Sequence, residues 1–124
     1  MNKPSILVVD DELLIRDLLY DFFTGQGWDI AVAENGDKAL EMTRVRKFDL
    51  VLTDVRMPQM DGLALTGHIR QSFPEMPIVI MTGFPSVDSA VAALRSKVDD
   101  YVIKPFNINQ LYKVLEAKIK ESRA

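Results

Sequence analysis

Five short apolar runs, each followed by a stretch with helical spacing, leave this chain few folds to adopt. The runs cover residues 6–9, 28–33, 50–52, 78–81 and 101–103. Each is too short for a buried helix and rich in Val and Ile, so each reads as a strand. In the second, Trp28, Ile30 and Val32 alternate onto one face, as on a strand near a sheet edge. The others are almost continuously apolar, as expected of strands covered on both faces. After the first run, Leu14, Leu18 and Phe22 recur every four residues with Leu19 and Phe23 beside them, and Gly25-Gln26-Gly27 ends that helix. Further helices are predicted over 37–46, over 61–72 before Phe73-Pro74, and over 86–95 with Ser86 as its cap. The last carries Ile108, Leu111, Leu115 and Ile119, with Lys118, Lys120 and Arg123 near its C-terminal end, where they suit the dipole.

Strict alternation of this kind implies an α/β domain. Its sheet is parallel and its helices lie on both faces, because crossovers between parallel strands are right-handed. Five strands and five helices fit the flavodoxin-like (βα)5 arrangement, with strand order 2-1-3-4-5, as one domain over 1–124. In that order a crevice opens at the carboxyl ends of strands 1 and 3, and function belongs there.

Composition removes several alternatives. A length of 124 residues suits one core, and 48% apolar with 27% charged residues is a globular balance. The net charge of -3 argues against a general nucleic-acid binder. Absence of cysteine excludes disulfides and thiolate metal sites, and the single histidine, His68, reads as a surface residue rather than a ligand. No apolar run approaches the roughly 18 residues of a membrane span. The short run after Met1-Asn2-Lys3-Pro4 is no signal peptide, so a cytoplasmic domain without a membrane partner is expected.

The chemistry lies in the residues just past each strand. Asp10-Asp11-Glu12 come after the first, Thr53 and Asp54 after the third, Thr82-Gly83 after the fourth, and Lys104-Pro105 after the fifth. Three carboxylates, Asp10, Asp11 and Asp54, therefore flank the crevice. Like charges at such range raise one another's pKa unless a cation intervenes. An oxygen-only donor set favours Mg²⁺, or Mn²⁺ in its place. Such a cation binds a phosphate oxygen beside one or two carboxylates, while Lys104 and the Thr82 hydroxyl can meet other phosphoryl oxygens. Taken singly these residues have plainer readings: Asp11 as the cap of the first helix, Lys104-Pro105 as a strand exit. Together at one edge, they point to a phosphoryl site.

The segments 6–12, 52–62, 79–83 and 99–106, which read ILVVDDE, LTDVRMPQMDG, VIMTG and DDYVIKPF, resemble the four signatures of response-regulator receiver domains over essentially the whole chain. The resemblance implies that Asp54 accepts a phosphoryl group from a histidine kinase or histidine phosphotransfer protein. It implies that Asp11 binds Mg²⁺ directly, Asp10 largely through water, and the main-chain carbonyl of Arg56 beside Asp54. It further implies that Lys104, joined to Pro105 by a cis bond, pairs with Asp54 and then with the phosphoryl group. Thr82 would close on that group while Tyr101 swings inward. The surface of the fourth predicted helix, fifth strand and fifth predicted helix would change and act on an effector protein or an attached output domain. The protein would be a switch rather than a turnover enzyme, monomeric or dimerising on phosphorylation.

Some positions depart from the common pattern. Lys97 stands where glycine often ends the fourth helix, and Pro85 after Phe84 stiffens the loop beyond Thr82. Arg56 and Phe84, two positions after Asp54 and Thr82, imply slow self-hydrolysis. Met1 and the final helix fit a stand-alone receiver; the N-terminal receiver of a longer regulator is the close variant. A Mg²⁺-dependent aspartyl phosphatase would need a second acid at position 56, which is Arg. A receiver-like module that binds partners without phosphorylation is the third reading.

Overall fold

The computed structural model describes residues 3–83 and 98–123. Its strands are β1 (Ser5–Val9), β2 (Asp29–Ala33), β3 (Leu50–Asp54), β4 (Ile78–Thr82) and β5 (Asp100–Ile103). Among the described residues the helices are α1 (Leu13–Gly25), α2 (Gly36–Val45), α3 (Gly62–Ser72) and α4 (Ile108–Arg123). The strands form one parallel sheet in the order β2-β1-β3-β4-β5, as the alternation predicts. The helix predicted over 86–95, with Ser86, lies outside the described residues, as do Phe84, Pro85 and Lys97.

Successive strand residues face opposite sides, and two cores result. Ile6, Val8, Leu50, Leu52, Val79 and Met81 pack with α1 and α4. Leu7, Val9, Val51 and Ile78 pack on the other face with α2 and α3. Trp28 and Ile30 are buried in the first core with Val32 packed against it, so the alternation read for the second strand holds. β5 differs from expectation. It is an edge strand, Tyr101 and Ile103 are exposed, and only Val102 packs inward.

Local chemistry sets the ends. α1 closes with Gly27 at φ 84, where a left-handed backbone suits glycine. There the Gly27 N–H donates to Thr24 O and the Trp28 N–H to Phe23 O, each at 3.0 Å. The Trp28 ring then packs on Phe23 at 4.9 Å between centroids, the apolar contact that accompanies this kind of stop. Asn35 and Asp61 cap α2 and α3 by accepting from the N–H groups of Lys38 and Ala64. Asn107 does the same for α4. The inward face of α1 is a correction to the stripe read from sequence. Leu19 and Phe23 are fully buried and Ile15 and Phe22 pack beside them, while Leu14 is 81% exposed and Leu18 lies open. His68 is exposed, as expected, while Met57 is buried in the second core and Met60 packs against it.

Candidate functional site: a carboxylate cluster around one lysine

All five parallel strands end at the same edge, and three of them deliver the charged groups of the site. β1 ends one residue before Asp10, β3 ends on Asp54, and β5 ends one residue before Lys104. The Lys104 ammonium lies 2.8 Å from Asp10 Oδ2, 3.4 Å from Asp54 Oδ2 and 3.6 Å from Glu12 Oε1. Asp10 is fully buried and Asp54 nearly so, so neither carboxylate can rely on water for its charge. Among the described residues one cation thus serves three carboxylates, and its shortest contact is to Asp10 rather than to Asp54.

The electrostatics reflect this imbalance. Burial pushes the Asp54 carboxyl above the usual carboxylate range, the Asp10 charge pushes it further, and Lys104 offsets only part of the rise. Asp11 adds its charge to the same effect. For Lys104, burial alone would lower the ammonium's pKa. The hydrogen bond to Asp10 and the charges of Asp10 and Asp54 outweigh burial and raise it above 10.5.

The chain around these groups is tightly built. Asp10 Oδ1 accepts the Glu12 N–H at 2.9 Å, which turns the chain into α1. That turn makes Glu12 the N-cap position of α1, with no side-chain cap, so Asp11 does not cap the helix. After Asp54, the Gly62 N–H donates to Val55 O at 2.8 Å. A Cβ at Gly62 would collide with the Asp54 carbonyl oxygen, so the loop carrying Arg56 returns against β3 only because residue 62 is glycine. Gln59 sits in this loop at φ 69, a backbone region costly for non-glycine residues. On the other side, Thr82 is buried at the end of β4 and its carbonyl accepts the Lys104 N–H at 2.8 Å. The Lys104–Pro105 peptide is cis.

Asp10, Asp54 and Lys104 are therefore brought into contact, with Thr82 on the adjoining strand end. Asp11 and Arg56 are exposed at the mouth, and Tyr101 is outward, 48% exposed. Glu12 is the member that sequence reading did not place in the cluster. Its carboxylate lies with those of Asp10 and Asp54 in a group whose ligand oxygens are all within 4.8 Å of one another. The signal for it is the Asp10–Glu12 turn, which carries the side chain back over Lys104. Three hard oxygen donors, one of them a buried carboxylate held above its usual pKa, make a donor set that fits a small divalent cation.

A doubly wound sheet with acidic groups and one lysine at its topological switch point defines an α/β protein of the CheY-like, flavodoxin-like class. The chain belongs to the response regulator receiver domain family, whose sequence model matches residues 6–116. It is 43% identical over 122 residues to the transcriptional regulatory protein ZraR of Salmonella typhimurium, a match covering 98% of this chain and 28% of that protein. It is 39% identical over 119 residues to the DNA-binding transcriptional regulator NtrC of Escherichia coli, covering 96% of this chain and 25% of that protein. The chain thus spans about a quarter of the length of these curated relatives. A CheY-like receiver from Methanospirillum hungatei superposes with a TM-score of 0.94 at 27% identity, covering 98% of each chain. NtrX from Brucella abortus, crystallised with ATP, gives 0.91 at 35% identity over 98% of this chain and 28% of its own. No helix among the described residues is long and apolar enough to cross a membrane.

Proposed function

We propose that this chain is a phosphoacceptor switch: Asp54 takes a phosphoryl group from a phosphohistidine of a histidine kinase or histidine phosphotransfer protein, in a Mg²⁺-dependent reaction. The observation that carries the reading is the setting of Asp54. It is buried at the end of β3, 3.4 Å from the Lys104 ammonium, in a cluster with the carboxylates of Asp10 and Glu12.

An Asp54 carboxylate oxygen attacks phosphorus, forming an O–P bond as the N–P bond breaks. The electron pair returns to the imidazole nitrogen, which takes a proton from solvent. Transfer of this kind asks little covalent chemistry of the protein beyond positioning and charge stabilisation. Lys104 supplies fixed positive charge, and its raised pKa keeps it protonated across the physiological range. Thr82 meets a phosphoryl oxygen through its hydroxyl. Asp10, Asp11, Asp54 and the carbonyl of Arg56 would hold Mg²⁺ or Mn²⁺, which when bound supplies charge neutralisation for the carboxylates and the incoming oxygens.

The same event drives signalling, because an acyl phosphate adds charge and acceptor oxygens at one point. Thr82 draws toward them and the exposed Tyr101 turns inward. The surface of the helix predicted over 86–95, β5 and α4 then acts on an effector protein or an attached output domain. The exposed Leu13, Leu14 and Leu18 of α1, beside the crevice, suit a protein that presents the phosphohistidine. This is a cytoplasmic signalling switch rather than a turnover enzyme, monomeric or dimerising on phosphorylation, with no nucleic-acid contact of its own.

Incubation with acetyl phosphate and Mg²⁺ followed by intact-mass measurement tests the reading. Wild type should gain one phosphoryl group, and Asp54→Ala none. Unchanged wild-type mass would overturn it.

A further inference from the structure

Asp10 has four hydrogen-bonding groups, and all four are engaged. Its N–H donates to Ala33 O at 3.1 Å, Oδ1 accepts from the Glu12 N–H at 2.9 Å, and Oδ2 accepts from Lys104 at 2.8 Å. The fourth, its main-chain carbonyl, accepts from Arg16 NH1 at 2.7 Å. The first three bonds come from the neighbouring strand, the turn and the site itself. Arg16 comes from the first turn of α1, half-buried, and reaches back to the edge of the sheet.

The Asp10 carbonyl belongs to the same planar unit as the Asp11 N–H. Holding that oxygen fixes the tilt of the peptide joining the two acidic residues, and with it the directions in which both side chains leave. A bond from a guanidinium is charge-assisted and stronger than a neutral one.

We propose that Arg16 is a positioning residue for cation binding, holding the Asp10–Asp11 peptide so that the acidic turn meets Mg²⁺ without rearrangement. This rests on the reading of the site as Mg²⁺-dependent. The proposal predicts an effect opposite in sign to simple electrostatics. A positive charge near a cation site weakens binding, so if Arg16 acted only by its charge, removing it would tighten Mg²⁺. If it positions the turn, removing it weakens Mg²⁺.

The test is titration of wild type, Arg16→Met and Arg16→Lys with MgCl₂, monitored by backbone amide NMR shifts, whose dispersion also reports directly that each protein is folded. Arg16→Met should bind Mg²⁺ about tenfold more weakly, as when an outer-sphere partner of a ligand is lost. Arg16→Lys, which keeps a charged donor, should recover part of the loss. Binding by Arg16→Met as tight as wild type or tighter would overturn the proposal, as would Arg16→Lys no better than Arg16→Met. Failure of wild type to bind Mg²⁺ would overturn the reading of the site, and this proposal with it.

Discussion

The two ends of the sheet use the same residue types to opposite effect. At the amino end, three acidic groups at strand starts, Asp29, Asp49 and Asp99, each meet an arginine and, in two cases, a backbone donor. Asp49, just before β3, accepts the Ser5 N–H at 2.8 Å and pairs with Arg123 at 3.0 Å. Asp99, just before β5, accepts the Ile78 N–H at 2.7 Å and pairs with Arg70 at 2.9 Å. Arg70 also donates to the Pro74 and Met76 carbonyls, closing the turn between α3 and β4. Asp29, which opens β2, pairs with Arg46 at 2.7 Å, and that guanidinium lies 4.7 Å over the Phe48 ring. At the carboxyl end, three carboxylates share one lysine, two of them buried. Charges at one end tie elements together. At the other, carboxylates outnumber the described cation beside them, an imbalance of the kind that marks functional sites.

The contrast can be broken most severely at Lys104. Lys104→Met takes from the carboxylates the one cation that contacts them among the described residues and should cost about 3 kcal/mol, because removing one partner strands buried charge. Urea denaturation at neutral pH without divalent ions measures it, and a neutral effect would mean that the cluster is better solvated than its burial implies. Gly62→Ala should cost about 2 kcal/mol, the overpacking of a Cβ against the Asp54 carbonyl. It should also slow labelling by acetyl phosphate. At the opposite end, Asp99→Ala should cost about 2 kcal/mol, leaving the Ile78 N–H without its acceptor, yet leave phosphorylation chemistry intact.

Asp54→Asn should act in the other direction, with a gain in stability at neutral pH without Mg²⁺. The sign comes from linkage. Asp54 binds its proton more tightly folded than unfolded, so wild type loses stability as pH rises from the unfolded carboxylate range through the raised folded value. The advantage of Asp54→Asn should therefore shrink as pH falls through that window, which paired melts across acidic pH would read.

Much of this arrangement was legible in the sequence because it is set by strand ends. Alternation of apolar runs implied the sheet order, and that order brings Asp10, Asp54 and Lys104 together at one edge. The parts that were not legible depend on packing or on single turns. α1 carries two leucine-bearing stripes of nearly equal hydrophobicity, and only contact with the sheet selects Ile15, Leu19 and Phe23 over Leu14 and Leu18. The place of Glu12 depends on Asp10 accepting its N–H, and the bond from Arg16 depends on how far a long side chain folds back. Val102 is half-buried between exposed Tyr101 and Ile103 because β5 is the sheet edge, a consequence of the order rather than of the run itself.

The comparison implies that the carboxyl-end carboxylates exceed the positive charge of Lys104, and that Asp54 carries the cost. Urea midpoints of wild type and Asp54→Asn, each with and without saturating Mg²⁺, test it directly. A cation that binds only the folded state stabilises that state. The account predicts that Mg²⁺ raises the wild-type midpoint clearly and that of Asp54→Asn much less. Equal gains in both proteins, or none in wild type, would contradict it.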